Sequence, residues 1–82
     1  MELSILTPGK TVFEGKVNSV AVPGTNGGLQ ILENHAPLVA SLAEGTISLT
    51  TDDNQNLDFE TTGGFIEVLS NNVSILLETV KN

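Results

Sequence analysis

Turn-forming residues break this chain roughly every ten residues, the spacing of short strands in a β-sandwich or barrel. The breaks are Thr7-Pro8-Gly9-Lys10, Pro23-Gly24-Thr25-Asn26-Gly27-Gly28, Glu44-Gly45, Asp52-Asp53-Asn54-Gln55-Asn56, Thr62-Gly63-Gly64 and Asn71-Asn72. No segment keeps apolar residues at helical spacing without such a cluster interrupting it. Between the breaks the residues suit a pleated surface: Val, Ile, Thr and Phe make up 25 of 82 positions, whereas Ala occurs four times. The reading is all-β, one domain over residues 1–82.

Alternation supplies the core. Leu3 and Ile5 share a face, as do Phe13 and Val17, with Glu14, Lys16 and Asn18 opposite. The phase then slips to Val20 and Val22, which predicts a bulge near Asn18-Ser19 that lets one strand turn a corner. Leu29, Ile31, Leu38, Ala40, Leu42, Ile47, Leu49, Leu57, Phe59, Ile66, Val68, Val73, Ile75 and Leu77 continue the set, and Phe65 is expected to bury most of its ring. Leu32, Val39, Leu69, Leu76 and Val80 fall on the wrong phase. Strands covered on both sides would explain them, and so would an apolar patch held for a partner.

Charge and composition exclude several functions. Ten acidic residues against three Lys give a formal charge of −7, with no Arg and no Cys. Such a chain repels nucleic-acid phosphates and anionic headgroups. It has no guanidinium fork, disulfide, thiol nucleophile or cysteine metal ligand. The N-terminal segment lacks a basic region and a long apolar run, and no run approaches a membrane span, so the chain reads as soluble and unexported. Membrane association would then come through another protein.

No catalytic pattern survives inspection. His35, the single imidazole, is in Asn34-His35-Ala36-Pro37, where a loop His bonded to nearby backbone is the plain reading. No Ser occupies a Gly-x-Ser-x-Gly elbow. Gly24–Gly28 lacks the Lys-Ser/Thr ending of a phosphate loop, and Asp52–Asn56 lacks the mid-loop Gly and closing Glu of a calcium loop. No cofactor or metal is expected. A lipoyl or biotinyl carrier domain is the enzymatic alternative, with Lys10 in its turn as the modified residue. Lys10 lies near the N-terminus rather than mid-chain, Lys16 is within a strand pattern, and Lys81 is at the chain end.

An ordered series of blocks carries a resemblance: Leu3-Ser4-Ile5-Leu6-Thr7-Pro8, then Val12 through Gly24, His35-Ala36-Pro37-Leu38, Gly63-Gly64-Phe65-Ile66-Glu67-Val68 and Asn72-Val73-Ser74-Ile75-Leu76. Together they resemble the N-terminal domain of the epsilon subunit of bacterial F-type ATP synthases. The resemblance implies a flattened sandwich or barrel of about ten strands in two sheets. It implies a non-catalytic central-stalk subunit that binds gamma and the ring of c subunits, coupling proton or sodium flow to ATP synthesis. It places the protein in a hetero-oligomeric complex, peripheral to the cytoplasmic face of the bacterial inner membrane, without lipid insertion.

By the same resemblance, Gly27, Gly28, Glu33, Asn34, His35, Ala36, Pro37 and Leu38 face the c ring. Leu76 and Val80 are the candidates toward gamma, because they are off-phase apolar residues. The sequence departs from many relatives at Gly28, Gln30 and Glu33-Asn34. Most relatives also continue as a two-helix hairpin that can inhibit ATP hydrolysis. A chain ending at Asn82 is expected to lack that inhibition.

Overall fold

The computed structural model describes residues 1–80, and Lys81, one of the three lysines weighed above, lies outside them. Eight strands follow in order: β1 (Glu2–Thr7), β2 (Lys10–Gly24), β3 (Gly27–Leu32), β4 (Leu38–Leu42), β5 (Gly45–Thr51), β6 (Asn56–Thr61), β7 (Gly64–Leu69) and β8 (Asn72–Leu77). Each predicted break falls at a connection between strands. The described residues form no helix, and so none long and apolar enough to cross a membrane.

The expected all-β sandwich or barrel forms, with eight strands among the described residues in one continuous sheet rather than about ten in two, and the reason lies in β2. Its 15 residues serve two neighbourhoods. Lys10–Lys16 pair with β1. Beyond them, Val17–Ala21 pair with β5 on one side and Ser19–Gly24 with β3 on the other. The register against β5 shifts between Val17 and Ser19, the bulge that the phase slip predicts. Strands β1, β8, β7 and β4 run in sequence and return to β2 through the Gly24–Leu42 bridge, closing a barrel-like circuit. Pro23 carbonyl accepts from Ala43 N–H at 2.7 Å beside that closure.

Burial follows alternation along these strands. Leu3, Ile5, Val17, Val20, Val22, Ile31, Leu42, Ile47, Leu49, Ile66, Val68, Val73, Ile75 and Leu77 form one buried cluster, joined by Met1. Burying each such side chain contributes about 1.5–3 kcal/mol. Leu29, Leu38, Ala40, Leu57 and Phe59 are only partly buried against it, because they sit toward strand ends and edges. The Phe13 and Phe59 rings meet in a tilted pair with centroids 6.4 Å apart.

Two glycines are fixed by geometry. Gly63 has φ 144°, a conformation that L side chains rarely adopt. Gly64 faces Leu77 across the β7–β8 ladder so closely that a Cβ there would lie 2.0 Å from the Leu76 carbonyl oxygen. The buried Thr61 hydroxyl completes this corner: its one hydrogen is within reach of the Gly63 and Thr79 carbonyls at 3.2 and 3.0 Å, and its oxygen accepts from Gly63 N–H at 3.1 Å.

Phe65 corrects the expectation that its ring is buried: it is 57% exposed. With Gly64 and Ile66 directed inward on β7, period 2 sends residue 65 outward.

Candidate functional site

The residues predicted to face a partner occupy two separate parts of the molecule. The first surrounds β3, an edge strand that, among the described residues, pairs with β2 alone. Gly27 and Gly28 open it, after a two-residue turn, Thr25-Asn26, that joins the Gly24–Gly27 pair. Glu33 through Pro37 follow its other end, and a strand of six residues spans about 17–20 Å. The structure therefore does not gather these residues into one cluster. It sets them at the two ends of one free sheet edge. Gly27, Gly28 and Leu38 do share a groove of about 480 Å³ between the β2–β3 hairpin and β4. Thr25 bridges that groove to Ser41 through a backbone bond of 3.1 Å and paired hydroxyls at 2.8 Å.

The 33–37 loop is held from several directions. His35 N–H donates to Leu32 carbonyl at 3.2 Å, closing a turn that contains Asn34 at φ 62°. Asn is among the few side chains that tolerate that region readily. The His35 ring turns back on its own chain, with Nδ1 2.7 Å from the Ala36 carbonyl oxygen. This is the local backbone bond that the plain reading anticipates. Ala36 and Pro37 are exposed, whereas Leu38 packs in part against the core.

Glu33 is already engaged within the molecule. One carboxylate oxygen pairs with the Met1 ammonium, and the other accepts from Asn71 Nδ2 at 2.9 Å. The Asn71 bond and then the ammonium lower the Glu33 pKa from its ordinary value. The Met1 ammonium also donates to Val17 carbonyl at 3.2 Å, and Val17 N–H donates back to Met1 carbonyl at 2.9 Å.

The second part is the outer face of β1, β8, β7 and β4. Register places Leu6 beside Leu76, and Leu76 beside Phe65. Leu76 is 52% exposed and Leu6 is half-buried. These three line an open cleft of about 610 Å³ with Thr7, Pro8 and Thr62 among its walls. Leu69 and Val39, also exposed, project from the same face farther along β7 and β4. Val80 does not join this row. It bridges to Thr61 and packs in part against the core. Sequence reasoning missed Phe65 and Leu6 here, although the phase of Phe65 against Ile66 and Val68 was the available signal.

Among the described residues there is no group of three or more His, Asp or Glu side chains placed to hold a metal ion.

The family described as the beta-sandwich domain of the ATP synthase delta/epsilon chain matches residues 1–82. The chain is 45% identical over 78 residues to the ATP synthase epsilon chain of Chlorobaculum tepidum, covering 95% of this chain and 89% of that one. The epsilon chain of Chlorobium limicola is 43% identical over 79 residues, with coverage of 96% and 90%. That of Leptospira borgpetersenii is also 43% identical, but only 61% of its length is matched. Two solved structures share the fold. A chain of the Euglena gracilis mitochondrial ATP synthase OSCP/F1/c-ring assembly superposes with a TM-score of 0.90 at 18% identity, covering 96% of this chain and 51% of that one. A chain of the Tetrahymena thermophila mitochondrial ATP synthase central stalk and c-ring gives 0.82 at 22%, with coverage of 100% and 66%.

Proposed function

The chain belongs to the ATP synthase delta/epsilon β-sandwich family, and from that membership we propose that it is a non-catalytic central-stalk subunit of an F-type ATP synthase. It binds gamma and the c ring, turns with them, and helps couple ion flow to ATP synthesis from the cytoplasmic face of the bacterial membrane. The observation that carries this reading is the near-complete mutual coverage with the Chlorobaculum epsilon chain. None of the relatives named above is a carrier domain.

The two exposed regions divide the contacts between them. Gamma meets the row formed by Leu6, Leu76 and Phe65, without Val80, because an apolar face of this kind is kept for a protein partner. The ring meets the free edge that runs from Gly27-Gly28 to Glu33, Asn34, His35, Ala36, Pro37 and Leu38. A standard patch of about 800 Å² per partner is near a sixth of the 4647 Å² surface. Two such contacts fit only on separate faces, as here. A charge of −7 keeps the subunit off anionic lipid while it docks beside the membrane. A closed circuit of strands with short turns suits a part that must transmit rotation without yielding.

Affinity capture from detergent-solubilised membranes of the source cell tests the proposal. Recovery of gamma together with c and the catalytic subunits supports it. Recovery of a dehydrogenase complex, or of none of these subunits, refutes it.

A further inference from the structure

We propose that Asn71 is a positioning residue for the ring-facing loop, acting through Glu33 and Asn34; this rests on the reading that residues 33–37 meet the c ring. Asn71 belongs to another part of the chain, the two-residue turn Ser70-Asn71 between β7 and β8. Both turn residues have positive φ, 51° and 65°, as the type I′ hairpin requires. The turn itself needs only that backbone conformation, which Gly supplies as well as Asn. The Asn71 side chain is therefore surplus to the turn, and it is spent on the loop.

Both ends of the amide are used. Its Oδ1 accepts from Asn34 N–H at 2.8 Å, and its Nδ2 donates to Glu33 Oε2 at 2.9 Å. The backbone carbonyl of the same residue accepts from Glu2 N–H at 3.1 Å. One residue thus ties the start of β1, the β7–β8 turn and the β3–β4 loop to each other. The chemistry is selective. Asn34 N–H needs an acceptor while the Glu33 carboxylate needs a donor, and one short side chain that offers both is Asn. Asp at 71 would keep the first bond and turn the second into repulsion. Gly would lose both and leave the turn intact.

Because both partners lie in the loop and neither lies in the apolar row, the contact bears on one of the two docking faces. The depressed Glu33 pKa agrees with a carboxylate held by that donor. Asn71 with Glu33 and Asn34 sets where His35, Ala36 and Pro37 stand.

The test uses ATP synthase rebuilt with each variant, with affinity for the c ring and for gamma measured separately. Asn71→Asp is expected to weaken ring binding about tenfold and Asn71→Gly about threefold to fivefold, since the bond lost is to a charged group. Glu33→Gln added to Asn71→Asp restores a donor–acceptor pair with the roles exchanged, and is expected to return ring affinity to within about twofold of Glu33→Gln alone, the variant that carries whatever the carboxylate itself gives the ring. Gamma affinity stays within about twofold throughout. In the purified chain, exchange of the Asn34 amide hydrogen accelerates in Asn71→Gly and recovers in the exchanged pair.

Wild-type ring affinity in Asn71→Asp, or no recovery in the exchanged pair, overturns the proposal while leaving the stalk assignment standing. A parallel loss of gamma affinity also overturns it, because the effect would then be on the fold. A wild-type chain that binds gamma and not the ring removes the loop's proposed role and this inference with it.

Discussion

Adding one methyl group at Gly64 is expected to unseat the β7–β8 pair. The new Cβ would lie 2.0 Å from Leu76 carbonyl oxygen, 2.9 Å from Leu77 Cα and 3.0 Å from the Leu76 carbonyl carbon. All three are backbone atoms, so no rotamer change relieves the clash. Strand β8 must move back by more than an ångström, which strains the Gly64–Leu77 pairing and lifts Leu77 from the core. Overpacking costs about 1–3 kcal/mol and sometimes more, and a backbone clash belongs at the upper end. Restricting the unfolded chain returns about 0.4–1 kcal/mol. The net loss is about 2–3 kcal/mol, or about 10–20 °C in Tm for a domain of this size.

The control is Gly28→Ala, where the nearest atom, Val22 carbonyl oxygen, is 4.0 Å away. That change is expected to stay within about 0.5 kcal/mol. Urea titration followed by far-UV circular dichroism measures both, since the chain has no Trp or Tyr for fluorescence. Gly64→Ala within 0.5 kcal/mol of wild type, at unchanged m, would refute the reasoning that β7 and β8 approach too closely for a side chain.

The exposed row gives a second expectation. Phe65→Ser or Leu76→Ser changes stability by less than about 0.5 kcal/mol but weakens gamma binding about tenfold or more; equal binding by calorimetry would remove the row from that interface. His35→Ala is expected to leave the melting temperature nearly unchanged, because its ring bonds only to the adjacent Ala36 carbonyl among the described residues. Gradient-driven ATP synthesis in vesicles should fall, and unchanged synthesis would take His35 out of the contact. Glu33 titrates low, so its contribution is present above the unfolded pKa and is lost as pH falls through the depressed folded pKa. Carbon NMR of the carboxylate should follow this, and Asn71→Gly should move the midpoint upward. An intact mass equal to that of the unmodified chain is expected, and added mass on Lys10 would revive the carrier reading.

Much of the fold was legible because its signals are local. Alternation located Leu3, Ile5, Ile47, Ile66 and Ile75 in the core, and the slip after Val17 located the bulge. Gly63 and Gly64 stood out as a pair, and each has its own steric reason. The strand count was not legible, because a bulge lets one strand do the work of two and no residue declares which will happen. Phe65 was misjudged by its apolar character, although its phase placed it outside. Asn71 was read only as a turn residue. Its bonds to Glu33 and Asn34 join positions 38 and 37 residues away, which no local pattern encodes. The family resemblance rested on ordered blocks, and the match over residues 1–82 bears it out.

The parallel pairing of β1 with β8 also governs how the molecule comes into being. Leu3 meets Val73 and Ile5 meets Ile75, seventy positions apart in each case. During synthesis β1 emerges first and can pair with β2 at once across the Pro8-Gly9 turn. Its other edge stays open until Asn72–Leu77 leaves the ribosome. Closing so long a loop is slow and entropically costly, and until then an unpaired edge and half a core are exposed. The row Leu6–Leu76–Phe65 spans β1, β8 and β7, so it cannot exist before β8 arrives. A chain cut short on the ribosome therefore has no such surface to offer, and a rotor could not take up an unfinished part by that face.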